Sequence, residues 1–250
     1  MFARTRTAAA WAALTGCAVS LAISGCSAGG GQLQHRTRTY LVSPAVRTLV
    51  ISNRVGDVQV TAGAGPVSVT ERISYRRELP VTTHALRAGT LTLTGTCPVS
   101  QACDIGYRIR VPPATTVRIK DLVGNIRLTA VTGQVSAHTN AGGIALRSLS
   151  GAIQVDDHAG SVSGTAVSSA TATLSTYVGS IDISFSAAPA TVTAEASIGS
   201  ITLRLPRGVV YAVHASAAAG SVHVTVPHAG NSAHSITART RTGSVTIGPA

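Results

Sequence analysis

The chain has 250 residues, of which 44% are hydrophobic, 3% aromatic and 12% charged, and its formal net charge at pH 7 is +11. This composition excludes an intrinsically disordered chain, since such chains combine a high charge content with few β-branched residues. It also excludes a polytopic membrane protein, because after residue 25 no apolar run reaches the ~20 residues of a spanning helix. With one Trp, two Phe and five Tyr, the core has to be built from Val, Ile, Leu and Ala.

The N-terminal segment predicts an export signal. Arg4 and Arg6 precede an apolar stretch over residues 8–22, and small residues then lead to Cys26. A charged start, a short apolar stretch and small residues before a cleavage point are typical of secretory signal peptides. A cysteine directly after small residues resembles the bacterial lipobox. We therefore predict a lipoprotein signal peptide over residues 1–25, with Cys26 as the acylated first residue of the mature chain.

Two alternatives to an acylated Cys26 stay open. Cys17 follows Leu14-Thr15-Gly16 in a similar way, although few apolar residues precede that motif. In the other alternative the segment is an ordinary secretion signal and its cysteine is incidental. The expected location is extracytoplasmic in either case, and an acyl chain would hold the protein at the outer face of the cell membrane.

Residues 26–46 follow the signal and predict a flexible tether. They contain three consecutive glycines, Arg36, Arg38 and Pro44, and they show no sustained hydrophobic period. A spacer of this kind would hold a folded domain at some distance from the membrane.

The positive charge is concentrated in the first half of the mature chain. Residues 26–127 carry 13 Lys/Arg against 5 Asp/Glu, a net of +8, whereas residues 128–250 carry 5 against 4, a net of +1. Anionic lipid headgroups or wall polymers are the expected partners of such a surface outside the cytoplasm. Nucleic acid is not expected, because the aromatic residues that stack on bases are scarce. The alternative is that 19 Arg to one Lys reflects only a GC-rich genome.

Two cysteines remain after the signal, Cys97 and Cys103. Outside the cytoplasm, nearby cysteines usually pair, so we predict a disulfide that staples the loop between strands at residues 91–93 and 107–109. A redox site would need a spacing closer to C-x-x-C, and a metal site would need further ligands nearby.

Internal repeats dominate the second half of the chain. Two short runs of alternating hydrophobic and polar residues flank a glycine in each repeat, which gives the pattern [VI]-x-A-x4-G-x-[IV]-x-[LIV]. The clearest copies are Val135–Leu146, Val192–Leu203, Val213–Val224 and Ile236–Ile247. Looser copies occur at 49–60, 117–128 and 172–183.

The spacing of the turn glycines predicts an all-β fold, a parallel β-solenoid of about 20-residue coils over residues 116–250. Successive glycines from Gly124 onward are 18, 18, 19, 20, 21 and 23 residues apart. Each coil is expected to stack on the preceding one at ~4.8 Å, and the glycines are expected to have positive φ. An antiparallel β-sandwich is the alternative. The predicted turn glycines are Gly56, Gly124, Gly142, Gly160, Gly179, Gly199, Gly220 and Gly243.

Residues 47–115 are less regular and predict longer strands at Val67–Tyr75, Thr90–Thr94 and Gly106–Val111. They form either the first coils with insertions or a separate β module that caps one end of the stack. Open edges at the ends of a solenoid favour aggregation, so a cap is expected. The C-terminal Gly248-Pro249-Ala250 is expected to blunt the other end.

Reiterated G-[DNS]-[IV] units resemble a known bacterial family. The units Gly56-Asp57-Val58, Gly124-Asn125-Ile126 and Gly179-Ser180-Ile181, preceded by Tyr107–Pro112, are similar to those of β-strand-repeat domains of unknown function labelled "putative adhesin". The similarity covers roughly residues 47–250. It implies a β-helical or solenoid domain of the cell envelope to which no catalytic residues are assigned.

Few residues suggest chemistry, and we predict no catalytic residue, metal site or cofactor. Asp156-Asp157-His158 is the densest acidic cluster, but adjacent residues in an extended strand point to opposite faces. His214 and His223 occupy polar positions of the repeat, and they lie near His228 and His234 in sequence.

The predicted function is that of a non-catalytic, lipid-anchored envelope protein, an adhesin or a scaffold that binds wall polymer, glycan or another envelope protein. A stress sensor with a protein partner is one alternative. A β-helical carbohydrate-active enzyme is another, and it would need acids and aromatic residues gathered in one groove. The candidates for that groove are Asp156, Asp157, Asp182, Glu195, Tyr177, Tyr211 and Phe185.

Overall fold

The structure, a computed structural model, describes residues 32–43, 45–98 and 102–250. The predicted signal peptide, including Cys17 and Cys26, lies outside these residues. The described chain is all-β, with 21 strands. Across these residues, no helix has the length and apolar character needed to cross a bilayer.

The strands have the following bounds: β1 Gln34–Val42, β2 Thr48–Val55, β3 Val58–Ala62, β4 Val67–Tyr75, β5 Val81–Arg87, β6 Thr90–Thr96, β7 Cys103–Val111, β8 Thr116–Val123, β9 Ile126–Thr129, β10 Val135–Ala141, β11 Ile144–Arg147, β12 Ile153–Ala159, β13 Val162–Val167, β14 Thr171–Val178, β15 Ile181–Phe185, β16 Thr191–Ile198, β17 Ile201–Leu205, β18 Ala212–Ala219, β19 Val222–Val224, β20 Ser235–Thr242 and β21 Val245–Pro249.

Each repeat contributes one strand to an 11-stranded sheet, sheet A, and one to a 10-stranded sheet, sheet B. We call such a pair of strands a rung. Neighbouring rungs pair in parallel, so that Ile126, Ile144 and Val162 lie side by side in sheet A. These side chains point between the sheets and are at most 1% exposed. The predicted parallel β-solenoid is confirmed, and the antiparallel β-sandwich is wrong.

The N-terminal end of the stack departs from chain order. The rung at 90–111 (β6 and β7) is outermost, and it pairs with the earlier rung at 48–62 (β2 and β3). That earlier rung pairs on its other side with the rung at 116–129 (β8 and β9). Residues 47–115 therefore contain two coils of the solenoid, together with added strands.

The C-terminal end departs from chain order in the same way. The last rung in sequence, 235–249, lies between the rungs at 191–205 and 212–224 in both sheets. The expectations that each coil stacks on the preceding one and that residues 248–250 end the stack are therefore wrong here. The physical reason is that all rungs present the same inward pattern, so their edges are interchangeable pairing surfaces.

Antiparallel strands cover the N-terminal end. Strand β4 pairs with β7 and β1 pairs with β4 in sheet A, whereas β5 pairs with β6 in sheet B. The predicted strand at Val67–Tyr75 coincides with β4.

Strand β1 corrects the predicted tether, because residues 34–42 are part of sheet A. Tyr40 and Val42 pack against the core, and the Tyr40 hydroxyl donates a hydrogen bond to buried Glu71 at 2.8 Å. The remaining residues of β1 are mostly Arg, Thr and His, and all of them except half-buried Arg38 are exposed. An edge strand with so few apolar residues has the composition of a linker.

Candidate functional site

The predicted turn glycines stack in a column along one edge of the solenoid, where each rung passes from sheet B to sheet A. A Cβ atom on any of them would collide with the backbone of the adjacent rung, in most cases with the carbonyl of the neighbouring glycine. Gly199, for example, has a φ of +148° and lies against the carbonyl of Gly179. The expected positive φ does not hold for Gly160. Close approach of the rungs is therefore the common reason for glycine in this column.

The residue after each glycine forms a polar ladder along the same edge. Asp57 Oδ1 accepts a hydrogen bond from the N–H of Asn125 at 2.9 Å, and Asn125 Oδ1 accepts one from the N–H of Gly143 at 3.0 Å. Ser180 Oγ accepts one from the N–H of Ser200 at 3.3 Å. These contacts explain why Asp, Asn or Ser follows the glycine in the unit G-[DNS]: the side-chain oxygen accepts a hydrogen bond from the next rung. The sequence motif alone did not reveal this role.

A second column, here called the polar column, lies buried beneath the glycines. Its members each stand three positions before a turn glycine, and in the usual arrangement a hydroxyl donates to the glycine carbonyl of a neighbouring rung. Thr176 donates to Gly160 at 3.2 Å, and Thr240 donates to Gly199 at 2.8 Å. The buried polar members are Asn53, Asp121, Thr139, Asp157, Thr176 and Thr240.

Two aspartates replace the hydroxyl in this column. Asp121 and Asp157 are 3% and 1% exposed, and neither has a hydrogen-bond partner for its carboxylate oxygens at normal geometry. Burial raises the pKa of each to about 6, although nearby backbone N–H groups oppose the rise. A neutral carboxyl group can donate a hydrogen bond as threonine does, whereas a carboxylate cannot.

The predicted acidic cluster is dispersed by the strand. Asp157 points inward, whereas Asp156 lies on the outer face of sheet B and His158 stacks on Tyr177 at 5.0 Å between ring centroids. Asp156 accepts a hydrogen bond from Ser175 Oγ at 2.8 Å and contacts His138 Nδ1 at 2.9 Å. This is not a catalytic triad, because the serine donates to the aspartate rather than to the histidine.

The C-terminal histidines are separated as well. His214 lies on β18 of sheet B and His223 on β19 of sheet A, whereas His228 and His234 contact backbone carbonyls. Within the described ranges, no group of three or more His, Cys, Asp or Glu residues could hold a metal ion. Cys97 and Cys103 form a disulfide with their Cα atoms 5.8 Å apart, between β6 and β7.

Among the described residues, five exposed arginines lie together on the N-terminal part of the outer face of sheet A, and we call this surface the arginine face. It comprises Arg72, Arg108, Arg110, Arg127 and Arg147. These residues lie on β4, β7, β9 and β11, where they point away from the core. The strands are close in the sheet, since β7 and β9 are separated by β3 alone. The arrangement places several guanidinium groups within reach of one extended anion.

Two acids stand beside the arginine face. Asp57 and Asp104 line a depression of about 360 Å³ together with Arg72, Arg108 and Arg127. Burial raises the pKa of Asp104, and the neighbouring charge of Asp57 raises it further. Asp57 also accepts hydrogen bonds from the backbone and side chain of Asn125. Farther along sheet A, Arg204 is paired with Asp182.

A shallow groove crosses the outer face of sheet B on the C-terminal half of the stack. Its volume is about 490 Å³, and Asp156, Tyr177 and Glu195 line it together with Arg239 and Arg241. Three of the predicted acids and aromatic residues therefore meet, whereas Tyr211 and Phe185 are buried in the core and Asp182 lies on sheet A.

The model of the Toastrack DUF4097 family matches residues 45–248. The chain belongs to this family. The Toastrack match covers the β-solenoid-like fold described above and confirms the predicted family of β-strand repeats. No curated protein sequence matches the chain.

Two solved structures are similar to this chain, and the first of them agrees with its fold. A putative adhesin from Bacteroides fragilis is 18% identical with a TM-score of 0.54, and the match covers 87% of this chain and 97% of that one. A putative adhesin from Parabacteroides distasonis is 12% identical with a TM-score of 0.46, and the match covers 88% of this chain and 98% of that one. At 18% identity the likeness to the Bacteroides fragilis protein concerns the fold alone.

Proposed function

We propose that this Toastrack chain is a non-catalytic protein of the bacterial cell envelope, anchored by a lipid at Cys26, whose arginine face binds anionic groups such as phosphates. The observation that carries the proposal is the presence of five exposed arginines on neighbouring strands of one sheet. The related structure described as a putative adhesin is compatible with a role in binding at the cell surface.

The position of the arginine face supports a partner close to the membrane. Four of its five arginines lie within residues 26–127, which carry a net charge of +8, and Arg147 lies on the adjacent strand β11. An acyl chain at Cys26 would bring this half nearest to the lipid headgroups. Anionic surfaces attract such clusters by about 1 kcal/mol per basic residue near the membrane.

The lipid anchor is tested by fractionating cells that express cysteine variants. Cys26→Ala is expected to release the protein from the membrane fraction, and Cys17→Ala is expected to leave it there. Release by Cys17→Ala alone would assign acylation to Cys17. Retention of both variants would contradict a lipid anchor.

The arginine face is tested by its salt-sensitive affinity for anions. In a Cys26→Ala background, the triple variant R108Q/R110Q/R127Q is expected to lose at least tenfold in affinity, because each guanidinium contributes a charge-assisted contact. The matched control R54Q/R87Q/R118Q removes the same charge from exposed positions on strands of sheet B. Equal loss in the control would show that net charge, and not this face, determines binding.

Two probes distinguish the sources of the anion. Vesicles with anionic phospholipid report headgroup binding in a sedimentation assay, and inorganic polyphosphate reports polymer binding in a titration. Binding is expected to weaken at about 0.5 M salt, where exposed charges are screened over ~4 Å. Absence of binding to both probes at low salt would overturn the proposal.

The groove on sheet B favours the carbohydrate-active enzyme as a second candidate, because Asp156, Tyr177 and Glu195 meet there. A glycosidase needs one carboxyl group that holds a proton and a second that acts as base or nucleophile. Asp156 instead accepts hydrogen bonds and its side chain is 60% exposed. This environment fits the binding of a ligand better than the cleavage of one. Release of reducing ends from a polysaccharide that is lost in Glu195→Gln would support the enzyme.

A further inference from the structure

The groove on sheet B contains a gap next to a pair of stacked rings, His158 and Tyr177, in a row of equivalent outward positions. Four successive rungs share an equivalent outward position, which is occupied by His158, Tyr177, Ser197 and Arg241. The equivalence follows from the register, because the residues directly before them pair as Asp157↔Thr176, Thr176↔Ala196 and Ala196↔Thr240. The His158 and Tyr177 rings are parallel within 5°, with centroids 5.0 Å apart. At the next position Ser197 is small, so the second face of the Tyr177 ring has no ring against it.

The gap has the dimensions of one ring. Neighbouring strands are about 4.8 Å apart, so Tyr177 and Arg241 stand about 9.6 Å apart along the stack. A flat aromatic ring in contact on both faces would need only about 7–8 Å, at the usual carbon–carbon contact distance. A puckered sugar ring is thicker, because its axial groups project from both faces. Tyr177 is 50% exposed, which leaves its free face available.

The polar groups beside the gap suit a sugar with an acidic substituent. Glu195 lies two residues before Ser197 on β16 and can accept hydrogen bonds from hydroxyl groups. Arg239 and Arg241 on β20 offer guanidinium groups to a carboxylate. Glu195 lies directly opposite Arg239 on the paired strand, but the two side chains form no ion pair with each other.

We infer that the gap at Ser197 is a binding site for one ring of an acidic saccharide, which stacks on Tyr177 and places its carboxylate near Arg239 and Arg241. Sugar C–H groups pack well on the face of an aromatic ring, and Tyr offers this area at a low entropic cost. The site is on the opposite sheet from the arginine face and does not depend on it.

The test uses an oligoglucuronate and a neutral cello-oligosaccharide of the same length as probes, in NMR titrations that follow backbone amide signals of β14, β16 and β20. The wild-type protein is expected to bind the acidic probe more tightly. Tyr177→Ala is expected to weaken binding about tenfold or more, whereas Tyr177→Phe retains the ring face and binds nearly as the wild type.

A second variant fills the gap instead of removing its wall. Ser197→Tyr places a ring in the vacant position, so it is expected to continue the stack, preserve the fold and block the saccharide. Ser163→Tyr, at an exposed position on sheet A, is the matched control and is expected to leave affinity unchanged.

Several results would overturn the inference. They are the absence of binding to either probe, wild-type affinity in both Tyr177→Ala and Ser197→Tyr, or equal affinity for the two probes, which would remove the role of the arginines. Loss of binding in the R108Q/R110Q/R127Q variant instead would assign the acidic probe to the arginine face.

Discussion

The two ends of the solenoid solve the problem of an exposed sheet edge in different ways. At the N-terminal end, β4 and β5 pair antiparallel with the outermost coil, and β1 in turn pairs antiparallel with β4. The outer strand β1 carries Arg36 and Arg38. At the C-terminal end, β18 and β19 are the last strands of their sheets in the described chain, and β18 reads AVHASAAA without a charged Lys, Arg, Asp or Glu.

The difference shows two separate ways to protect an exposed sheet edge: covering it with further strands, or ending it with short strands and small side chains. Charged edge strands oppose pairing with another molecule. The outermost rung at the C-terminal end, 212–224, instead has small side chains and a strand β19 of only three residues, so it offers little area to a second molecule. The cost is lower burial, because Val213, Ala215 and Ala217 are only partly buried where their equivalents in inner rungs are buried.

Among the changes that test this comparison of the two ends, deletion of residues 235–250 is expected to have the largest effect on the free energy of unfolding. Ile236, Val245 and Ile247 are 0% exposed, and burial of each contributes about 1.5–3 kcal/mol. The free energy of unfolding should therefore fall by at least about 5 kcal/mol in urea titrations. Even if the rung at 212–224 moved into the vacated place, the stack would be one rung shorter. Deletion of residues 32–43 is the matched change at the covered end, and an equal loss there would contradict the assigned rung order.

Substitution in the glycine column is expected to have the next largest effect. Gly199→Ala combines an unfavourable φ with a collision against the Gly179 carbonyl, so it should destabilise the protein by about 4 kcal/mol. Gly208→Ala is the control, since its φ is +76° but nothing lies within 4 Å of the added Cβ; a loss of about 1 kcal/mol is expected. The same change at Gly220, in the terminal rung, should cost less than at Gly199 because that rung can shift. Equal melting temperatures for the Gly199 and Gly208 variants would exclude a steric role.

The pH dependence of stability is expected to distinguish the two halves of the polar column. The folded-state pKa of Asp157 is raised from 3.8 to about 6, so the folded state binds the proton more tightly than the unfolded state. Stability should therefore rise as the pH falls from above 6 to about 4, by roughly 2–3 kcal/mol per aspartate.

Asp157→Thr supplies the hydroxyl used by neighbouring rungs and is expected to stabilise the protein at pH 8 but not at pH 4. Asp156→Thr, on the exposed face, is the control for the change in charge. Near the C-terminal end of the stack, the equivalent positions of the column are Ala196, Thr240 and Ala217. These residues have no ionisable side chain, so they add no pH dependence to the stability. Unfolding free energies that are independent of pH between 4 and 8 would contradict this account.

Much of the fold could be predicted from the sequence because each repeat shows the same alternation of hydrophobic and polar residues around a glycine. The alternation around Gly142, Gly179 and Gly199 gives the strand length, the inward face and the turn. The N-terminal strand at Val67–Tyr75 was also predictable, since its inward residues alternate regularly. What the pattern cannot supply is the order of the rungs, because the inward residues of 212–224 and 235–249 are interchangeable on the edge of β16 and β17.

The candidate surfaces were harder to predict for a related reason. The arginine face unites residues from four strands that are far apart in sequence, and only the register places Arg108 two strands from Arg127. The gap at Ser197 is defined by a side chain that is small, and a serine on an exposed strand position carries no signal of its own. Strand β1 was missed because Tyr40 and Val42 are its main contacts with the core.

The placement of the final rung has a consequence for how the molecule is made. Residues 212–224 precede 235–249 in the chain, yet 235–249 lie between them and the rung at 191–205. Rungs therefore cannot be added in strict chain order, because the position next to β16 and β17 is taken by residues 235–249 and not by 212–224. A chain that stopped before residue 235 would leave the rung at 212–224 without the strands with which it pairs.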